Sequence, residues 1–84
     1  GNIHKIQLAF SGGVPTELLG KMQILHNEKF GSVSILIVRG NGDMLRELIS
    51  GYSPVIFDIL PLTLEEVFIY ELGGKGYELE NIII

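Results

Sequence analysis

The sequence predicts an α+β two-layer sandwich in the order βαββαβ, with one further helix at its end. Three observations predict it. Short apolar runs of strand length take turns with apolar patterns of helical spacing. Glycine or proline stands at most of the changeovers. Leu, Ile and Val together supply 29 of the 84 residues, enough for one small core and far too many for a disordered chain.

Residues 3–10 alternate, with His4, Ile6, Leu8 and Phe10 on one side and Ile3, Lys5, Gln7 and Ala9 on the other, which is a strand. Ser11-Gly12-Gly13 breaks it. Pro15 suits the first turn of a helix, and Leu18, Leu19 and Met22 share a helical face. Gly20 weakens that helix, so it is expected to be short. Residues 24–30 alternate loosely, as an edge strand does. Gly31-Ser32 is a two-residue hairpin turn. Residues 33–38 are apolar on both faces apart from Ser34, the pattern of an interior strand.

Gly40-Asn41-Gly42 ends that strand, and Met44, Leu45, Leu48 and Ile49 outline a second amphipathic helix, stopped by Gly51 and Pro54. Residues 55–60 read as a fourth strand, with Val55, Phe57 and Ile59 inward and Asp58 outward. Thr63-x-x-Glu66 is a capping box, in which each side chain satisfies the other residue's backbone N–H. Leu62 and Val67 occupy the staple positions around it. Leu64, Val67, Phe68 and Leu72 give the apolar face of a third helix over about 64–72, closed by Gly73-Gly74. Residues 75–84 form a tail, and Gly1-Asn2 reads as a cloning scar. The single domain is expected over 3–74. Two split βαβ units of this length make a ferredoxin-like sandwich, with strands one and three at the centre of an antiparallel sheet.

The net charge of −4 with six Lys and Arg excludes a nucleic-acid footprint, since little here would neutralise a row of phosphates. That charge is uneven: five acidic residues stand against Lys75 beyond position 62, while the earlier residues balance. Absence of cysteine removes disulfides and thiolate metal sites and allows a cytoplasmic setting. The longest aliphatic run, residues 35–38, is far below the roughly 20 residues that span a bilayer.

No residue pattern points to catalysis. Gly40-Asn41-Gly42 follows a strand and opens a helix, but Leu45 stands where a dinucleotide turn needs its third glycine, and Asp43 would repel a phosphate. Ser11-Gly12-Gly13 lacks the Gly-Lys-Ser/Thr ending of a P-loop. Gly73-Gly74-Lys75-Gly76 follows a helix, as a C-cap does. His4 and His26 fall on different strands with no carboxylate spaced to join them. Glu65 and Glu66 diverge by about 100° on the helix, where both complement the helix dipole. No catalytic, cofactor-binding or metal-ligating residue is expected.

The stretch Pro61, Thr63, Leu64, Glu65, Glu66, Val67, Phe68 resembles the ending of many bacterial ABC transporter ATP-binding subunits, where a strand runs into a Pro-x-Ser/Thr-Leu-Glu-Glu/Asp-Val/Ile-Phe motif and a final short helix. The upstream βαββαβ order resembles the accessory C-terminal domain of the same subunits, of the drug and antibiotic-resistance exporter type. The resemblance implies a non-catalytic domain in the cytoplasm, at the inner face of the membrane through the transporter complex. Its implied partners are the nucleotide-binding domain of the same subunit, a second copy and a membrane permease. ATP and magnesium would belong to the parent subunit, because the chain has no Walker A lysine loop, no Leu-Ser-Gly-Gly-Gln signature and no Walker B strand. Two other classes share the layout: a small-molecule-sensing domain of the ACT type, whose ligand loop Ser11-Gly12-Gly13 could supply, and a stand-alone dimerisation module.

One expectation concerns the sheet. With Ile6, Leu8, Phe10, Val33, Ile35 and Ile37 towards the helices, the other face carries Ile3, Lys5, Gln7, Ala9, Ser34, Leu36 and Val38. Leu36 and Val38 would then form an apolar patch on the free face, covered in part by the third helix and in part by a partner. The candidate structural and interface residues are therefore Thr63, Leu64, Glu66, Val67, Phe68, Leu36 and Val38.

Overall fold

The alternation of the first residues becomes strand β1 (Ile3–Ala9) in the computed structural model, which describes residues 2–72. Helix α1 (Thr16–Gly20), strands β2 (Gln23–Phe30) and β3 (Val33–Arg39), helix α2 (Gly42–Ser50) and strand β4 (Ile56–Leu60) follow in order. The strands form one antiparallel sheet ordered β2-β3-β1-β4, so β1 and β3 lie inside it and β2 and β4 at its edges. A short helix α3 (Leu64–Glu66) runs directly into a π-helical turn, Val67–Glu71. The expected Gly73-Gly74 cap and the tail 75–84 lie outside the described residues.

Local chemistry sets each boundary. Gly31 opens the β2–β3 hairpin at φ +64°, a left-handed conformation that other residues adopt only with strain. The Asn41 side chain accepts from the Met44 N–H at 3.0 Å and caps α2, satisfying one of the helix's free donors. Pro15 stands at the N-cap of α1, one place before the expected first turn, and Gly20 is that helix's last residue. Strand β4 starts at Ile56: the Val55 N–H still donates to the Ala9 carbonyl at 2.8 Å, but its side chain is exposed.

The core lies between the sheet and helices α1 and α2, and it corrects the expected facing of β3. Opposed residues of an antiparallel pair share a face, and β1 pairs Ile6 with Leu36 and His4 with Val38. Leu36 and Val38, both fully buried, therefore pack with Ile6, Leu8, Phe10, Leu18, Leu45 and Ile49 on the helix side. Val33, Ile35 and Ile37 take the opposite face beside Lys5 and Gln7. Ser34, the one polar residue of the strand, is also buried on the helix side. A strand apolar on both faces does not state its own register, and a one-residue shift exchanges every side chain. Phe57 packs against this core, while Ile59, on the same face of an edge strand, stays 38% exposed.

Candidate interaction site on the open sheet face

The face turned away from α1 and α2 is built in rows across the strands. His26, Ile37, Lys5 and Leu60 form one row, and Glu28, Ile35, Gln7 and Asp58 the next. α3 and its π-helical turn lie against the first of these. Lys5 Nζ donates to Glu66 Oε1 at 3.2 Å and stands 3.1 Å from Oε2. Farther along, an Arg39 guanidinium N–H donates to the Tyr70 carbonyl at 3.3 Å, and the Tyr70 ring lies 6.0 Å from that of His26. The terminal segment thus reaches from β1 to β2. Ile37 and Ile3, both on this face, are buried.

The capping box forms as the sequence requires. The Thr63 hydroxyl accepts from the Glu66 N–H at 3.1 Å, and Glu66 Oε1 accepts from the Thr63 N–H at 2.8 Å. Glu66 therefore holds both the start of α3 and its attachment to the sheet. Burial alone would raise its pKa. The Thr63 N–H and the Lys5 ammonium outweigh that and hold the carboxyl below the usual glutamate range.

The apolar face expected over Leu64, Val67, Phe68 and Leu72 divides. Val67 and Phe68 are half-buried. Leu64 is 72% exposed, and Leu72 and Ile69 are also exposed. The π-helical turn is the reason: the Leu72 N–H bonds to the Val67 carbonyl, five residues back, and this turns the later side chains away from α-helical spacing. Of the sequence candidates, Thr63, Leu64, Glu66, Val67 and Phe68 lie on or beside the open face, and Leu36 and Val38 on the far side of the sheet. Lys5 is the residue of this attachment that the sequence does not pair with Glu66. It stands 61 positions from Glu66, where no spacing rule reaches.

The remaining candidates fall elsewhere. His4 projects to the helix side, where a Cβ at Gly42 would stand 3.0 Å from its ring. Glycine at the entry of α2 thus makes room for this imidazole. His26 lies on the open face, 2.6 Å from the Glu28 carboxylate. Among the described residues no three His, Cys, Asp or Glu side chains gather as a metal site, and no helix is long and apolar enough to cross a membrane. The chain matches no protein-family model, no curated protein and no solved structure in comparisons with known proteins.

Proposed function

We propose that this chain is a non-catalytic accessory domain of ferredoxin-like arrangement that serves an ABC transporter ATP-binding subunit through protein–protein contacts. The element order and the sheet order β2-β3-β1-β4 support the arrangement. The observation that carries the function is the state of the Pro61–Phe68 stretch. It folds as a capped helix tied to the sheet through Lys5 and Glu66, yet leaves Leu64 72% exposed, with Ile69 and Leu72 exposed after it. These side chains add little to the domain's own core. An apolar group held outward on an anchored element suits contact with another protein. The partner in this reading is the nucleotide-binding domain of the same subunit, with a second copy and the membrane permease in the wider assembly. ATP and magnesium are handled by that neighbouring domain, in the cytoplasm at the inner membrane face.

The coding frame upstream of Ile3 tests this reading. An ATP-binding domain joined directly to the strand supports it, and an unrelated domain or a start codon there overturns it. Isothermal titration of the 84-residue chain with Mg-ATP tests the non-catalytic half: no heat is expected, and micromolar binding overturns it.

A second reading, as an ACT-like sensing domain, is favoured by the β1–α1 loop. Gly12 and Gly13 both take positive φ and border a cleft of about 280 Å³ with Phe10, Val14 and Lys29. Amino-acid-dependent shifts in the Gly12 and Gly13 amide resonances would support it over the first.

A further inference from the structure

Beyond α3 and its π-helical turn, the open sheet face continues in two further rows towards the β2–β3 hairpin. The nearer row carries a carboxylate at each end, Glu28 on β2 and Asp58 on β4, with Ile35 and Gln7 between them. The farther row is apolar: Phe30 opposes Val33, and Ile56 opposes Ala9. Phe30 is 62% exposed, while Val33, Ile35 and Ile56 are half-buried. A cleft of about 210 Å³ opens between Phe30 and the Lys5–Glu66 pair, lined by Ile35, Ile37 and Leu60. Charge on this side of the sheet is uneven. Lys5 is spent on Glu66, and Arg39 lies at the far end of the face on the Tyr70 carbonyl. Glu28 meets only the imidazole of His26. Asp58 is exposed and has no ion-pair partner among the described residues.

We propose that these two rows dock a basic amphipathic helix of a partner protein, its apolar side on Phe30, Val33 and Ile35 and its lysines or arginines on Glu28 and Asp58. Charge complementarity selects the occupant. An apolar strip has a carboxylate at both ends of the adjoining row, and the exposed Glu65 and Glu71 of the terminal segment add to the same sign, which favours a cationic partner and disfavours an acidic one. The spacing suits a helix. The two rows are about 7 Å apart, so one helix roughly 10 Å across covers both and lies beside α3. Glu28 and Asp58 stand on strands three spacings apart, roughly 14 Å, within reach of long basic side chains two helical turns apart. The proposal rests on the reading of this face as a protein-contact surface, and it does not depend on the partner being a transporter domain.

The full 84-residue chain is titrated with a synthetic helical peptide repeating Lys-Leu-Leu-Lys and followed through its backbone amide resonances. Those of Gln7, Ile35 and Asp58 are expected to move together and saturate, with no response to a Glu-Leu-Leu-Glu peptide. Phe30→Ser and Asp58→Lys, both at exposed positions, should each weaken binding about tenfold. Glu47→Lys, on the exposed side of α2 across the sheet, should leave it unchanged. Two variants on the face keep the test informative if one fails to fold. Unmoved resonances on the open face overturn the proposal, and so does equal weakening by Glu47→Lys, which would mean diffuse attraction to an acidic chain. A dimer in sedimentation that Phe30→Ser converts to monomer also overturns it, by giving the face to a second copy. The titration fails separately from the transporter reading, because the coding frame upstream of Ile3 decides that reading whether or not the peptide binds.

Discussion

Lys5, on the open face of β1, and Glu66, in the capping box of α3, form an ion pair across 61 residues of chain with both side chains about four-fifths buried. The contact joins a local motif to the tertiary structure. The same carboxylate oxygen that accepts from the Thr63 N–H also accepts from the Lys5 ammonium, so starting the helix and fastening it to the sheet are one event.

That sharing gives a measurable coupling. Lys5→Met and Glu66→Gln, alone and together, should show an interaction energy of about 1 kcal/mol in urea denaturation. Thr63→Ala should itself cost about 1 kcal/mol through the lost cap. Strict additivity of the Lys5 and Glu66 changes would mean that the pair does not hold α3.

The pair also makes the attachment acid-sensitive. The Glu66 carboxyl is depressed below its ordinary value in the folded chain. Its contribution is therefore present above the unfolded glutamate pKa of about 4.3 and is lost as pH falls through the lower folded value. Amide resonances of Thr63 and Glu66 should move together as pH falls below the ordinary glutamate value, while those of the buried strand residues Ile6 and Leu36 hold. Simultaneous loss of all four would show that α3 does not release on its own.

The sequence made legible whatever depends on neighbours along the chain. The capping box at Thr63, the glycine of the hairpin at Gly31 and the stop at Pro61 each act within a few residues, and the structure follows them. Two things were hidden. The facing of β3 depends on pairing with β1, and five of its six expected residues are apolar, so either face could have served as the inner one. The π-helical turn after Glu66 displaces Phe68 and Leu72 from the places that α-helical spacing assigns them. Both features move side chains between core and surface, and both bear on the candidate interface residues.

The entry of α2 offers a separate check. Asn41→Ala removes the acceptor for the Met44 N–H and should cost about 1 kcal/mol. Gly42→Ala gains helix propensity but brings a methyl to 3.0 Å from the His4 ring. If that imidazole is fixed by the core, Gly42→Ala is destabilising despite the propensity gain of up to about 1 kcal/mol. A higher urea midpoint for Gly42→Ala would show that the His4 ring moves aside freely.

The α1 side carries a smaller network. The Tyr52 hydroxyl donates to the Glu17 carboxylate, and Lys21 stands 5.5 Å from the Tyr52 ring centre. The Tyr52 hydrogen bond, followed by the Lys21 charge, holds the Glu17 carboxyl below its ordinary range. Tyr52→Phe should let that carboxyl titrate at higher pH, read from its side-chain carbon shift. An unchanged titration would place the depression on Lys21 alone.

The facing of β3 can be decided by stability. Leu36 is fully buried with Ile6 and Leu8, so Leu36→Ala should cost about 2–5 kcal/mol. Phe68 is half-buried on the opposite side of the sheet, and Phe68→Ala should cost about half the burial free energy of a phenylalanine, roughly 1–1.5 kcal/mol. A domain this small has roughly 5 kcal/mol in total. Leu36→Ala should therefore bring it near unfolding, while Phe68→Ala leaves it folded with a modestly lower urea midpoint. Leu36→Lys adds the cost of an unpaired buried charge and should abolish the folded state. Were Leu36 on the open face, the lysine would be tolerated and only association would change. A folded, stable Leu36→Lys chain would return β3 to the opposite register and remove Leu36 and Val38 from the core.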